Sequence, residues 1–171
     1  GLWGYGRIGK LVAGYGKAFG MNVMVWGSEA SRAKAHADGY AAAASREALF
    51  ETSDVLTLHL RLAPATRGLV TLEDLVRMKA TALFVNTSRA ELLVENALVS
   101  ALNRSRPGMA AVDVFESEPI LQGHPLLRLE NCICTPHIGY VEQDNYETLF
   151  SAAFENVVNF IKGTPTNIVN P

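Results

Sequence analysis

The sequence predicts an α/β fold: an open, doubly wound parallel sheet with helices on both faces, followed by one long C-terminal helix. Three observations carry this expectation. Short apolar runs alternate with longer amphipathic segments along the 171 residues, the pattern of successive βαβ units. The runs Val55-Leu56-Thr57-Leu58 and Leu83-Phe84-Val85 are continuous rather than alternating, as parallel strands buried on both faces require. A glycine-rich turn, Gly4-Tyr5-Gly6-Arg7-Ile8-Gly9, joins the first apolar run to the first amphipathic one.

Taken in order, residues 2–4 form the first strand, and a strand that starts at the first residue is expected of a partial sequence. The glycine turn then leads into a helix over 7–19, stopped by Gly20. Inside that helix Gly14-Tyr15-Gly16 repeats the glycine words without being a phosphate loop. Each such glycine costs up to about 1 kcal/mol relative to alanine, so both are expected to admit a closely packed neighbour. Residues 23–26 form the second strand and 31–38 a helix; a weak strand at 40–42 passes through an alanine-rich stretch into a helix over 46–51, capped by Ser45. After the strand at 55–60, Thr71 followed by Glu73 and Asp74 starts a helix over 72–78. The strand at 82–86 is followed by a helix over 95–104, which ends at Pro107-Gly108. Strands at 109–114 and 132–135 complete the sheet, and the last helix, 145–161, stops at Gly163 and Pro165. Its apolar stripe (Leu149, Phe150, Ala153, Phe154, Val157, Val158, Phe160, Ile161) either faces something outside the sheet or packs on the same core.

Composition bounds the function. The hydrophobic share is 49% and the charged share 19%, enough apolar material for about one domain with a full core. Formal net charge is -2 and no run of five like charges occurs, so the basic footprint that phosphate backbones demand is missing. Nucleic acid and membrane surfaces are therefore not expected partners. No apolar stretch reaches the roughly 18 residues of a membrane span, and a soluble, cytoplasmic protein is expected. Cys132 and Cys134 read as free thiols, since i and i+2 on a strand bridge poorly. His36, His59, His124 and His137 show no metal-ligand spacing, so no metal is expected.

The turn Gly4 to Gly9 is a G-x-G-x-x-G between a strand and a helix, the context of a Rossmann-type dinucleotide site. Gly4 permits the tight turn, Gly6 lets a pyrophosphate approach the backbone, and Gly9 lets helix and strand pack closely. The helix start supplies amide donors and a positive dipole end. About 20 residues on, an NAD site places an acid on the ribose 2'-hydroxyl. Here the strand ends in Gly27, and Ser28 and Arg32 are suited to a 2'-phosphate. The cofactor is therefore NAD(P), with NADP slightly favoured over NAD, which Glu29 keeps open.

Three further segments lie at the C-terminal ends of predicted strands, where open α/β sheets hold their ligands: Asn86-Thr87-Ser88-Arg89, Asp113 to Pro119, and Thr135-Pro136-His137-Ile138-Gly139. An arginine, a carboxylate and a histidine there combine a cation for a substrate carboxylate, an acid and a proton donor. Singly, Arg89 reads equally as a surface ion-pair residue, Glu118 as a solvated loop acid, and His137 as a hydrogen-bonded core histidine.

Together, in this order and with the glycine turn, these segments resemble the nucleotide-binding domain of the D-isomer-specific 2-hydroxyacid dehydrogenases. The resemblance extends through Ser53-Asp54-Val55 leading to His59, Thr66-Arg67-Gly68, Met78-Lys79, Ala97-Leu98 and the closing Val169-Asn170. It implies that Arg89 binds the substrate's carboxylate and carbonyl oxygen, that His137 is the general acid and base, and that Glu118 raises the pKa of His137. It also implies that Thr87 and Asp113 lie near the nicotinamide, that Arg7 and Ile8 contact the pyrophosphate, and that His59, Thr66 and Gly139 line the cofactor cleft. A homodimer is implied as well. So is a domain division: 1–140 as the dinucleotide-binding domain, and 141–171 as a helix and tail returning toward a substrate-binding domain absent from this sequence.

The sequence departs from the family pattern at three places. Ala90-Glu91 follows Arg89, Tyr140-Val141-Glu142 follows Gly139, and Arg61 stands where a proline is usual. Arg61 either adds positive charge to the cofactor groove or faces solvent. The function expected is hydride transfer between NAD(P) and a small-molecule 2-oxo acid or D-2-hydroxy acid, the fragment alone being inactive. The alternative is an NAD(P)H-sensing module that couples coenzyme occupancy to a protein partner.

Overall fold

A computed structural model describes residues 1–169; Asn170, of the closing Val169-Asn170 pair, lies outside the described residues. The chain divides into two compact units, Gly1–His137 and a second that begins at Ile138.

In the first unit the elements run β1 (Leu2–Trp3), α1 (Arg7–Ala18), β2 (Met24–Trp26), α2 (Glu29–Ala37), β3 (Ala41–Ala42), α3 (Arg46–Thr52), β4 (Val55–Leu58), α4 (Leu72–Val76), β5 (Leu83–Asn86), α5 (Ala97–Leu102), β6 (Met109–Val112) and β7 (Cys132–Cys134). Short 3-10 turns occupy Ala90–Leu92 and Pro125–Arg128. The seven strands form one parallel sheet in the order β3-β2-β1-β4-β5-β6-β7. The chain thus winds outward from β1 to β3, returns to lay β4 beside β1, and winds the other way to β7. That reversal between β1 and β4 is the topological switch point, and the crevice beyond the carboxyl ends of the strands there is where such sheets bind ligands.

The pleat divides the core. Leu2 and Trp3 point to opposite faces. Leu2 joins Ala13, Val25 and Ala35 beneath α1 and α2, and Trp3 joins Phe50, Leu56, Leu58, Leu75, Phe84 and Leu98 on the face covered by α3, α4 and α5. Full burial of each large side chain in that second group is worth about 1.5–3 kcal/mol. The capping signals act as read: Ser45 accepts from the Ala48 amide at 3.1 Å, and Thr71 with Asp74 forms a reciprocal capping box. Arg46 then joins α3 to α4 by pairing with Asp74.

Differences from the sequence reading are local. α2 begins two residues earlier than expected because Ser28 caps it, accepting from the Ser31 amide at 3.2 Å. The expected close neighbour exists for Gly16, where an added Cβ would meet Val23 at 3.2 Å, but not for Gly14, which faces open space within 4 Å. The Cys132 and Cys134 sulfurs lie 3.7 Å apart as thiols; burial, then the neighbouring thiol, pushes Cys132 up to about 12.

The second unit is dominated by α6 (Gln143–Ile161). Tyr140, Tyr146, Phe150 and Phe154 form an aromatic row, with successive ring centroids 6.4, 5.7 and 6.5 Å apart. Among the described residues no helix is long and apolar enough to cross a membrane.

Candidate active site

The glycine turn sits at the end of β1, and its glycines differ in what surrounds them. Gly4 has φ +104° and an added Cβ would lie 2.4 Å from the His59 carbonyl oxygen; one at Gly9 would lie 2.2 Å from the Gly4 oxygen. Both are therefore required by packing. Gly6 meets nothing within 4 Å, so its surface is open where a ligand would approach. No side chain caps α1 and no acid lies in its first turn, which leaves the dipole end and orphan amides for an anion. These features fit the pyrophosphate of a dinucleotide.

Because Trp3, Leu58 and Asn86 stand in register across β1, β4 and β5, the segments leaving these strands reach one crevice. A cavity of about 590 Å³ there is lined by Arg7, Ile8, His59, Arg61, Thr87 and Arg89 together with Gly6 and Gly9, and by no carboxylate. Burial lowers the His59 pKa and favours its neutral form; Nε2 lies 3.2 Å from the Thr57 hydroxyl. Asn86 is buried and holds the following turn, donating to the Arg89 carbonyl at 2.9 Å and accepting from the Ser88 amide at 3.0 Å. Ser88 in turn donates to the Leu58 carbonyl at 2.7 Å, tying the β5 exit to β4.

Glu118 and His137 meet across 19 residues, with Nδ1 of the imidazole 2.6 Å from Oε2. The Phe115 amide donates to the other carboxylate oxygen at 3.0 Å. That amide first, then the His137 hydrogen bond and the charges of His137 and Arg89, holds the Glu118 carboxyl below its ordinary range. The ion therefore persists at neutral pH and fixes the ring orientation. His137 has φ 56°, a left-handed conformation uncommon outside glycine and concentrated at functional positions.

The other expected residues are placed as follows. Asp113 is buried and accepts from the Thr135 hydroxyl at 2.5 Å. Thr66 is not on the cavity wall; its hydroxyl donates to the Arg61 carbonyl at 2.7 Å and accepts from the Ala63 amide at 2.8 Å, closing the turn after β4. Ser28 and Arg32 lie past β2, where the Arg32 guanidinium stacks 4.7 Å from the Trp26 ring centroid and its buried Nε has no hydrogen-bond partner. Gly139 belongs to the second unit.

The glycine turn, the switch-point crevice and the paired carboxylate and imidazole agree with a direct comparison: the model of the D-isomer specific 2-hydroxyacid dehydrogenase NAD binding domain matches residues 1–139. The chain belongs to this dehydrogenase family. It is 38% identical over 170 residues to a hydroxypyruvate reductase of Blautia hydrogenotrophica, covering 99% of this chain and 52% of that protein. Among solved structures, an oxidoreductase from Ralstonia solanacearum is 65% identical with a TM-score of 0.95, over 99% of this chain and 50% of that one. A phosphoglycerate oxidoreductase from Vibrio cholerae is 55% identical with a TM-score of 0.91, over 95% of this chain and 52% of that one. The chain spans about half the length of the curated relatives it matches.

Within this dehydrogenase domain the structure adds residues that sequence reading passed over. Tyr5, inside the glycine turn, donates to Asp38 at 2.9 Å, and Lys10 on α1 pairs with the same carboxylate at 2.9 Å. This brace from α2 holds the turn and the start of α1 together. The only sequence signal was an aromatic residue at a variable position of the motif. Asn86, which in the sequence only begins a strand-end segment, is the residue that shapes the Arg89 turn.

Proposed function

We propose that the intact protein transfers hydride between a nicotinamide coenzyme and a 2-oxo acid or D-2-hydroxy acid. The observation that carries this reading is the 2.6 Å contact between His137 and an ionised Glu118, with Arg89 on the wall of the crevice. A bound nicotinamide supplies the hydride. Arg89 presents a planar guanidinium that pairs with the substrate carboxylate in two parallel hydrogen bonds and orients the carbonyl carbon. His137 gives its Nε2 proton to the carbonyl oxygen in reduction and removes it in oxidation. Glu118 accepts the Nδ1 proton bond, which selects the tautomer and stabilises the imidazolium before proton transfer.

The coenzyme is held by Gly4, Gly6, Arg7, Ile8 and Gly9 at the pyrophosphate, with Thr87 and Asp113 near the nicotinamide and His59 and Gly139 lining the cleft. NADP is preferred over NAD in this reading, supported by Ser28 and Arg32 past β2, where the strand is followed by Gly27 and no acid stands at its end. Residues 1–140 are the dinucleotide-binding domain, and 141–171 return toward a substrate-binding domain. The protein works as a cytoplasmic homodimer in this reading. The exposed apolar side chains of Leu11 and Tyr15 on α1 and of Phe19 at its C-cap support a protein contact.

The test is steady-state reduction of glyoxylate and hydroxypyruvate by the intact protein with NADPH and with NADH. His137→Gln is expected to lower kcat by about 10²–10⁴-fold while coenzyme binding persists. Turnover unchanged in that variant refutes the assignment.

A further inference from the structure

Glu118, which the reaction just described uses to hold His137, belongs to a segment with little regular structure of its own. Residues 113–124 form neither strand nor helix, and 116–119 and 121–123 are exposed. The core grips this loop at Phe115 where it begins, partly at Ile120, and at Leu126 just past its end. A carboxylate on such a loop keeps one place only if something ties the two ends together, because every unfixed residue between them adds conformational freedom.

His124 makes that tie. Its ring packs edge-on against Phe115, with centroids 5.3 Å apart and planes at 72°. Its Nδ1 accepts from the Leu126 amide at 3.3 Å, and its Nε2 lies 3.3 Å from Oε2 of Glu116. A ring nitrogen that accepts from an amide carries no proton, so the neutral imidazole holds its proton on Nε2 and donates it to Glu116. The ring is thus fixed from both ends of the loop. Glu116 is about half exposed, and a pair in that setting contributes little to stability; what the arrangement supplies is geometry. Phe115 carries the geometry onward, since its ring meets His124 while its amide donates to Oε1 of Glu118 at 3.0 Å, and the other carboxylate oxygen meets His137 at 2.6 Å. A charge-assisted contact this short weakens steeply with small displacements or changes of angle.

We propose that His124 is a positioning residue: by closing the loop 116–123 against Phe115 it holds the Phe115 amide, and through that amide the Glu118 carboxylate, in place against His137. This rests on the hydride-transfer reading above for the role of Glu118. His124 is not on the wall of the coenzyme crevice, and it acts on the reaction only through Glu118.

The experiment uses the intact protein with glyoxylate and hydroxypyruvate, and NADPH and NADH. His124→Asn keeps an acceptor for the Leu126 amide, so the 3-10 turn stays capped, but it offers Phe115 no ring and is too short for Glu116. It is expected to lower kcat by about tenfold to a hundredfold, the cost of a small misplacement of a reacting group. The coenzyme Kd is expected to stay within about twofold, because the glycine turn follows β1, three strands from β6 in the sheet. In a Glu118→Gln background the same substitution should cost less than about twofold more, since the carboxylate it positions is already gone. Losses that multiply in the double variant overturn the inference, as does a kcat in His124→Asn within about twofold of wild type, or coenzyme binding that weakens in step with kcat. A readout without turnover is the proton between His137 Nδ1 and Glu118, expected as a far-downfield resonance in the wild type that broadens or vanishes in His124→Asn. If the wild type reduces neither substrate, the hydride-transfer reading falls; loss of that resonance in the variant then still supports the positioning, and an unchanged resonance overturns it.

Discussion

Gly6 and Gly9 lie three residues apart in one motif, yet the structure predicts opposite consequences for the same substitution. At Gly9 a methyl group would lie 2.2 Å from the Gly4 carbonyl oxygen and 3.5 Å from the His59 Cβ, an overlap of roughly 1 Å with backbone that no rotamer change relieves. Overpacking of this kind costs about 1–3 kcal/mol, of which alanine's better helix propensity returns up to about 1 kcal/mol. Gly9→Ala should therefore lose about 1–2 kcal/mol net, a melting temperature lower by roughly 2–8 °C for a domain of this size. At Gly6 the methyl meets nothing and the backbone, φ -86° and ψ -161°, suits any residue. Gly6→Ala should keep its melting temperature within about 2 °C and yet bind NADPH at least about tenfold more weakly, or about 1.4 kcal/mol, because the methyl occupies the approach to the backbone amides. Calorimetry without ligand and a coenzyme titration followed by nicotinamide fluorescence measure the two effects separately. Wild-type coenzyme affinity in Gly6→Ala would refute the assignment of that open surface to the pyrophosphate, and wild-type melting in Gly9→Ala would refute the packing argument.

Other consequences are more direct. Phe84 is 0% exposed in the strand between β4 and β6, so Phe84→Ala should cost about 3–5 kcal/mol in urea unfolding; a loss below 1 kcal/mol would show that the site collapses around the cavity. Burial lowers the His59 pKa below its ordinary 6.5, so the unfolded chain takes up that proton first as pH falls. The contribution of His59 is intact above about pH 6.5 and is lost as pH drops toward the folded value. His59→Gln should consequently flatten the fall in melting temperature between about pH 7 and 5, and identical pH profiles for the two proteins would contradict it. Lys10→Met removes the largest cause of the lowered Asp38 pKa, the hydrogen bond from the Lys10 ammonium. Asp38 stabilises the fold above about pH 4 and loses that effect on acidification, so the variant should lose less stability on going below pH 4 than the wild type does; an unchanged acid slope would exclude the pair as a brace.

Much of this molecule was legible in its residues because the relevant physics is local. Short apolar runs between amphipathic segments placed all seven strands, Ser45 and Thr71 marked helix starts by the hydrogen bonds their hydroxyls can make, and the G-x-G-x-x-G spacing marked the turn. Boundaries slipped where a side chain changed its partner: Ser28, read as a phosphate contact, also caps α2 and starts it early. Thr66, assigned by resemblance to the cleft, spends its hydroxyl on its own loop, a choice that depends on how six residues fold back on themselves.

By itself, then, the sequence determined which segments are strands and helices, which turn is suited to an anion and which residue types stand at strand ends, since each follows from propensity, burial or steric freedom within a few neighbours. Only the tertiary structure decided that β4 lies beside β1, that Arg7, Arg61 and Arg89 consequently share one cavity, and that Glu118 reaches His137 rather than solvent. Those facts depend on strand order and register, which are set by packing energies summed over segments far apart in the chain, and no local pattern encodes them.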